Sequence, residues 1–158
     1  MNKEKIQYKN TEKFTPEVIG EVLEVQVKYG LTADSLLKKA SKKSSSLYEF
    51  FDWDNSSAGE KWRLQQARVL INEIKIIVDD KEMYAFENVN VSIIEKESSS
   101  REYKSIVEII NNANYRQQLI QRALFEATYW KNRHSELTEL NPIFSLITEI
   151  SEEWQSKK

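Results

Sequence analysis

The chain has 158 residues, of which 40% are hydrophobic and 30% charged, with a formal net charge of -2. That mixture excludes a disordered chain and provides for a real core. It contains no cysteine and one histidine, His134, which excludes disulfides, thiolate metal sites and nearly every histidine-based metal cluster or catalytic relay.

Residues 1–14 are polar and charged without a sustained period, the pattern of a flexible N-terminal arm. Residues 15–158 read as one α+β domain, mainly helical, with helices plus sheet over 15–110 and a C-terminal antiparallel helical hairpin over 111–158. Thr15-Pro16 predicts a helix start, with Thr15 as N-cap and Pro16 at the first helical position. Val18, Val22, Val25 and Tyr29 keep helical spacing, Ile19 and Leu23 widen the stripe, and Gly30 is expected as a left-handed C-cap. Thr32 opens a second, shorter helix carrying Leu36, Leu37 and Ala40, which ends in Lys38, Lys39, Lys42 and Lys43 and the serines Ser44-Ser45-Ser46. The lysine cluster has two readings: cations complementing a helix C-terminus, or a contact to phosphate.

The segment Leu47-Tyr48-Glu49-Phe50-Phe51-Asp52-Trp53-Asp54 is the densest in aromatics, and such a run anchors a loop onto a core. Ser57 and Glu60 fit a capping box at the start of a third helix. Its expected buried stripe is Trp62, Ala67, Leu70, Ile71 and Ile74, leaving Lys61, Arg63, Gln65, Arg68 and Asn72 on the polar side and Gln66 near the boundary. At Glu73 the period switches to alternation. Ile74, Ile76 and Val78 face one way, Asp79-Asp80-Lys81 makes a turn, and a second strand follows from Met83 to Ile94, bent near Asn88. Glu97-Ser98-Ser99-Ser100 reads as another turn and Tyr103–Val107 as a third strand, completing a small antiparallel β-meander. Helical spacing resumes near Asn114, with Tyr115, Leu119, Ala123, Leu124, Ala127 and Trp130 on a broad face. Asn141-Pro142 starts the last helix, striped by Ile143, Leu146, Ile147, Ile150 and Trp154. The short link between these two helices predicts antiparallel packing.

Nucleotide hydrolysis has no support, since the three glycines, Gly20, Gly30 and Gly59, form no phosphate-cradling loop. Asp79, Asp80 and Glu82 are the candidates for a metal-dependent nuclease, against the commoner reading of charged turn residues. Asp52 and Asp54 are expected to favour the N-terminus of the following helix, and His134 to sit near a helix C-terminus without a catalytic role. No metal site or cofactor is expected. Two short helices, a third capped helix and a strand hairpin follow the order of a winged helix-turn-helix, in which the third helix enters the major groove. Lys61, Arg63, Gln65 and Arg68 then serve as base or phosphate contacts, with Lys38, Lys39, Lys42 and Lys43 on phosphates. Against this stand the long aromatic link between the second and third helices and the acidic hairpin turn. A competing reading is a protein-binding module, because tryptophan, tyrosine and arginine dominate interface hot spots. Tyr48, Trp53 and Tyr84 are its candidate contacts.

The stretch Ser45-Ser46-Leu47-Tyr48, Phe51-Asp52-Trp53-Asp54-Asn55, Ala58, Trp62-Arg63, Gln66-Ala67-Arg68 and Leu70-Ile71 resembles a group of small bacteriophage and prophage proteins. Their shared pattern runs S-P-L-H, then F-x-W-D-D, then A-A-x-x-Y-R-x-x-Q-A-R-x-L-I. Here Ser46 and Tyr48 replace the proline and histidine, and Asn55 the second aspartate. The resemblance implies a phage or mobile-element origin and residence in the cytoplasm of an infected bacterium. It implies no activity.

The expectation is therefore a non-enzymatic phage accessory protein acting by binding. Its partners are double-stranded DNA through the third helix or, alternatively, a host or phage enzyme such as a defence nuclease. No membrane partner is expected, because apolar runs such as Ile76-Ile77-Val78 are too short to span a bilayer and the charged start has no apolar leader behind it. A homodimer through the C-terminal hairpin is a further expectation, since a broad apolar face needs cover.

Overall fold

In the computed structural model, which describes residues 6–53, 59–78, 80–93 and 98–156, the chain is a mainly helical α+β protein with small antiparallel sheets. It divides into two compact units, Met1–Asn111 and Asn112–Lys158.

The first unit starts with strand β1 (Ile6–Tyr8), which pairs antiparallel with β2 (Lys75–Val78), Ile6 opposite Val78 and Tyr8 opposite Ile76. The expected flexible arm therefore holds a strand, and Phe14 at its end is buried and stacked on Phe50 with ring centroids 6.2 Å apart. Three residues are too few for a period to show in the sequence. Their pairing comes from the exposed edge that β2 offers.

Helix α1 (Pro16–Tyr29) begins as its caps require: Thr15 has extended backbone and its side chain accepts from the Val18 N–H at 3.4 Å. Val18, Ile19, Val22 and Val25 are its buried face, whereas Tyr29, the last residue of the expected stripe, is 72% exposed. Gly30 follows at φ 73° and ψ 137°, positive in φ as expected but extended in ψ. Helix α2 (Ala33–Ala40) opens with a complete capping box, in which Thr32 accepts from Ser35 N–H at 3.0 Å and Ser35 accepts from Thr32 N–H at 2.9 Å. The serines that follow do not fray. The Glu21 carboxylate on α1 accepts from the Ser45 hydroxyl and from the Ser46 N–H, and Leu47 behind them is fully buried. Burial of leucines such as Leu31, Leu36 and Leu47 stabilises by about 1.5–3 kcal/mol each.

Helix α3 (Gly59–Glu73) buries Ala67, Leu70 and Ile71, and the proposed Ser57 cap lies outside the described residues. Ile74, Ile76 and Val78 alternate into the core as read, with Ile77 turned outward. Strand β3 (Lys81–Tyr84) returns along β2, with Lys81 opposite Val78. At the turn Asp80 has φ 61°, a conformation that an Asp tolerates better than most residues. The chain then bends at Ala85 rather than at Asn88. The buried Ala85 donates to Ile74 O and accepts from Ile106 N–H, both at 2.9 Å, so each of its backbone groups is satisfied away from either ladder. Strands β4 (Phe86–Ile93) and β5 (Ser98–Ser105) form a separate two-stranded sheet. The single meander is thus replaced by a three-stranded and a two-stranded sheet, and Ser98-Ser99-Ser100, expected in a turn, lie in β5. A short helix α4 (Ile106–Asn111) follows where the third strand was expected to continue, with Ser105 accepting from Glu108 N–H at 3.2 Å.

The second unit holds helices α5 (Ala113–Arg133) and α6 (Asn141–Ser156), joined through a 3-10 turn over Thr138–Leu140. Asn112 caps α5 by accepting from Tyr115 N–H at 3.1 Å, and His134 ends it. The helices meet where Trp130 stands edge-on to Phe144, centroids 5.7 Å apart, and where Lys131 Nζ donates to Thr148 Oγ1 at 2.9 Å. Among the described residues of this unit only Phe144 is a buried hydrophobe. No described helix is long and apolar enough to cross a membrane.

Candidate interaction surface on the third helix

Helix α3 turns about 100° per residue, so the buried Ala67, Leu70 and Ile71 leave an outer face with two flanks. Lys61, Gln65 and Arg68, all exposed, share one flank. Trp62 and Val69, seven residues apart and 54% and 44% exposed, share the other. Trp62 thus leaves the stripe expected of it. Its neighbours one turn on, Gln65 and Gln66, are both polar, and that was the signal in the sequence that it does not join the core row.

Arg63 does not lie with the other cations. Its guanidinium rests 5.7 Å from the Trp53 ring and donates to Asp52 O at 3.3 Å, while Gln66 accepts from Asp52 N–H at 3.1 Å. Arg63 and Gln66 therefore strap the aromatic segment to α3. Within that segment Tyr48 stacks on Trp53 at 4.9 Å, and the Trp53 indole N–H donates to Tyr48 O at 2.9 Å. Phe51 is buried beside them. Two of the three expected partner contacts, Tyr48 and Trp53, are therefore half-buried and spent on each other. The third, Tyr84, is 57% exposed, with Lys75 Nζ 5.6 Å from its ring centroid.

The lysine cluster is likewise divided. Lys38 pairs with Asp34 at 2.7 Å, one turn earlier on α2. Lys39 bridges to Glu24 of α1 at 2.5 Å, and Glu24 also holds Lys28 at 2.7 Å. The Lys28 and Lys39 ammonium groups hold the Glu24 carboxyl at about 2, well below the usual carboxylate range. Lys42 and Lys43 are exposed. On the hairpin, Lys75 and Lys9 engage Glu82 and hold it at about 2 as well. The carboxylate is thereby occupied, and its expected companion Asp79 lies outside the described residues. Among the described residues no group of three or more His, Cys, Asp or Glu is placed to hold a metal.

Two grooves border the apolar flank of α3. One, of about 420 Å³, lies between Phe50, Trp62, Gln66, Val69 and Lys13. The other, of about 510 Å³, lies between Val69, Glu73, Lys75, Tyr84 and Phe86. Val69 belongs to both, so Trp62, Val69 and Tyr84 belong to one continuous surface. No protein-family model, curated protein or solved structure matches this chain.

Proposed function

We propose that the chain is a non-enzymatic accessory protein that binds another protein through the outer face of α3, with Trp62, Val69 and Tyr84 as anchors. The observation that carries this reading is the exposure of three large apolar side chains over two adjoining grooves. Exposed tryptophan and tyrosine beside pockets are the composition of interface hot spots. The partner that fits is a protein surface offering bulky apolar side chains to the grooves, with acidic groups at its rim to meet Lys61 and Arg68. The likeness of residues 45–71 to phage and prophage proteins supports a phage or mobile-element setting, with a host or phage enzyme as the target.

A second reading, duplex DNA association, is favoured by one observation: Lys61, Gln65 and Arg68 stand together and exposed on the other flank. It is the weaker of the two. Lys38 and Lys39 are neutralised by carboxylates, Arg63 lies against Trp53, and tight phosphate binding needs many free cations.

Two double variants of the full chain separate the readings. Protein binding predicts that Trp62→Ala with Val69→Ser abolishes capture of a partner from infected lysate, while Lys61→Glu with Arg68→Glu weakens it only partly. Loss of a tryptophan anchor weakens such a complex by about 2 kcal/mol, roughly thirtyfold. The DNA reading predicts the reverse pattern in fluorescence anisotropy of a labelled duplex, with steep salt dependence. Partner capture that survives loss of Trp62 and Val69 would overturn the protein reading.

A further inference from the structure

Helices α5 and α6 leave an apolar face without cover. At about 100° per residue, Ile120, Ala123, Ala127 and Trp130 of α5 and Ile143, Ile147, Ile150 and Trp154 of α6 fall on the same side of the antiparallel pair. Leu146 lies at its edge. On α6, Ile143, Leu146 and Ile150 are 49%, 54% and 45% exposed, and Trp130 on α5 is 40% exposed. A stripe exposed along α6 and at Ala123 and Trp130 of α5 supplies half of a four-helix core.

The charges select what completes it. Helix α5 carries Arg116, Arg122, Lys131 and Arg133 against the single acid Glu126. Helix α6 carries Glu149, Glu152 and Glu153 and no basic residue. A surface made of one basic and one acidic helix is its own complement under a two-fold axis parallel to the helices. That operation lays α5 of one chain over α6 of the other, antiparallel, so a basic helix runs along an acidic one and the helix dipoles oppose. A two-fold axis across the helices would instead stack α5 on α5 and α6 on α6, like charge on like. We propose that this face binds a second copy of the chain, forming an antiparallel four-helix bundle in which each α5 packs on the partner copy's α6. The proposal stands apart from the surface on α3.

The absence of cysteine makes a clean test available. In sedimentation equilibrium at about 100 µM, the full chain is expected at twice its 18.6 kDa mass. Leu146→Glu with Ile150→Glu is expected to return it to the monomer mass. Both sites are exposed and lie in the second unit, so the first unit's thermal transition is expected to stay unchanged. Two single-cysteine chains, Ala127→Cys and Ile150→Cys, then report the arrangement. Mixed under oxidising conditions they are expected to give the mixed disulfide, and neither alone a covalent dimer. A monomeric wild-type chain would overturn the proposal. So would a dimer indifferent to the two glutamates, or self-crosslinking of Ile150→Cys.

Discussion

Gly30 illustrates how one residue ends a helix and starts a contact. Its φ of 73° with ψ of 137° lies in territory closed to residues bearing a Cβ. A Cβ there would come within 2.7 Å of the Glu102 carboxylate, which is held by Lys104 at 3.1 Å. Directly after Gly30, Leu31 O accepts from Tyr103 N–H at 2.7 Å, tying the end of α1 to β5. Gly30→Ala is therefore expected to lower stability by about 1–3 kcal/mol, read as the shift of a urea midpoint. Titration adds a second prediction at this scale. Glu24 and Glu82 each titrate near 2 in the fold against an ordinary 4.5, held down by Lys28 with Lys39 and by Lys75 with Lys9. A carboxyl whose folded value is depressed contributes stability in full above its unfolded value, and loses that contribution as pH falls through the folded one. Stability is expected to decline from about pH 5 towards pH 2, and more gently in a Glu24→Gln, Glu82→Gln chain. Equal slopes in the two chains would dismiss these ion pairs as the cause.

Local chemistry sets the elements wherever a cap is written into the chain. The Thr32–Ser35 box satisfies two otherwise orphaned N–H groups of a helix of eight residues, too short to hold by propensity alone. Thr32→Ala is expected to cost about 1 kcal/mol, and Thr32→Ser to restore most of it. Unfolding that is indifferent to both changes would mean that the burial of Leu36 and Ala40 alone holds α2. The same signals made α1, α2 and α6 legible in the sequence, since Thr15-Pro16, Thr32 and Asn141-Pro142 are local devices. What was not legible depends on distant partners. Strand β1 exists because β2 has a free edge, and Ser98-Ser99-Ser100 extend because β4 offers Val91, Ser92 and Ile93 as partners. Serine runs otherwise read as turns. The site was half legible. The basic flank of α3 follows from the helical period, whereas Arg63, expected there, has its guanidinium captured by Trp53 and Asp52 O. The outward position of Trp62, against its expected place in the core, is legible in the polar Gln65 and Gln66 one turn on.

The distribution of core over the two units sets how the whole molecule unfolds. The buried cluster that includes Val22, Leu36, Leu47, Ile71 and Ile76 lies between Phe14 and Tyr103, so the first unit holds its own core. Residues 1–111 alone are expected to melt cooperatively, close to their transition in the full chain. Residues 112–158 bury Phe144 and little else among the described residues, and a two-helix hairpin with so thin an interior falls short of independent stability. Its cohesion then comes from association, and association answers to mass action. The first unit's transition should not move with protein concentration, whereas that of the helical hairpin should. A tenfold dilution removes about 1.4 kcal/mol per dimer. With an unfolding entropy of roughly 2 cal/mol/K per residue over two hairpins, its midpoint falls by on the order of 5–10 °C. Far-ultraviolet dichroism, shared between α5 and α6 and the helices of the first unit, should show both transitions, and near-ultraviolet bands of the Tyr48–Trp53 stack should follow the upper one. In the Leu146→Glu, Ile150→Glu chain the lower transition should lose its concentration dependence and shift to the dilute limit. A hairpin transition fixed over a hundredfold range of wild-type concentration would show that the hairpin is stable without a partner copy.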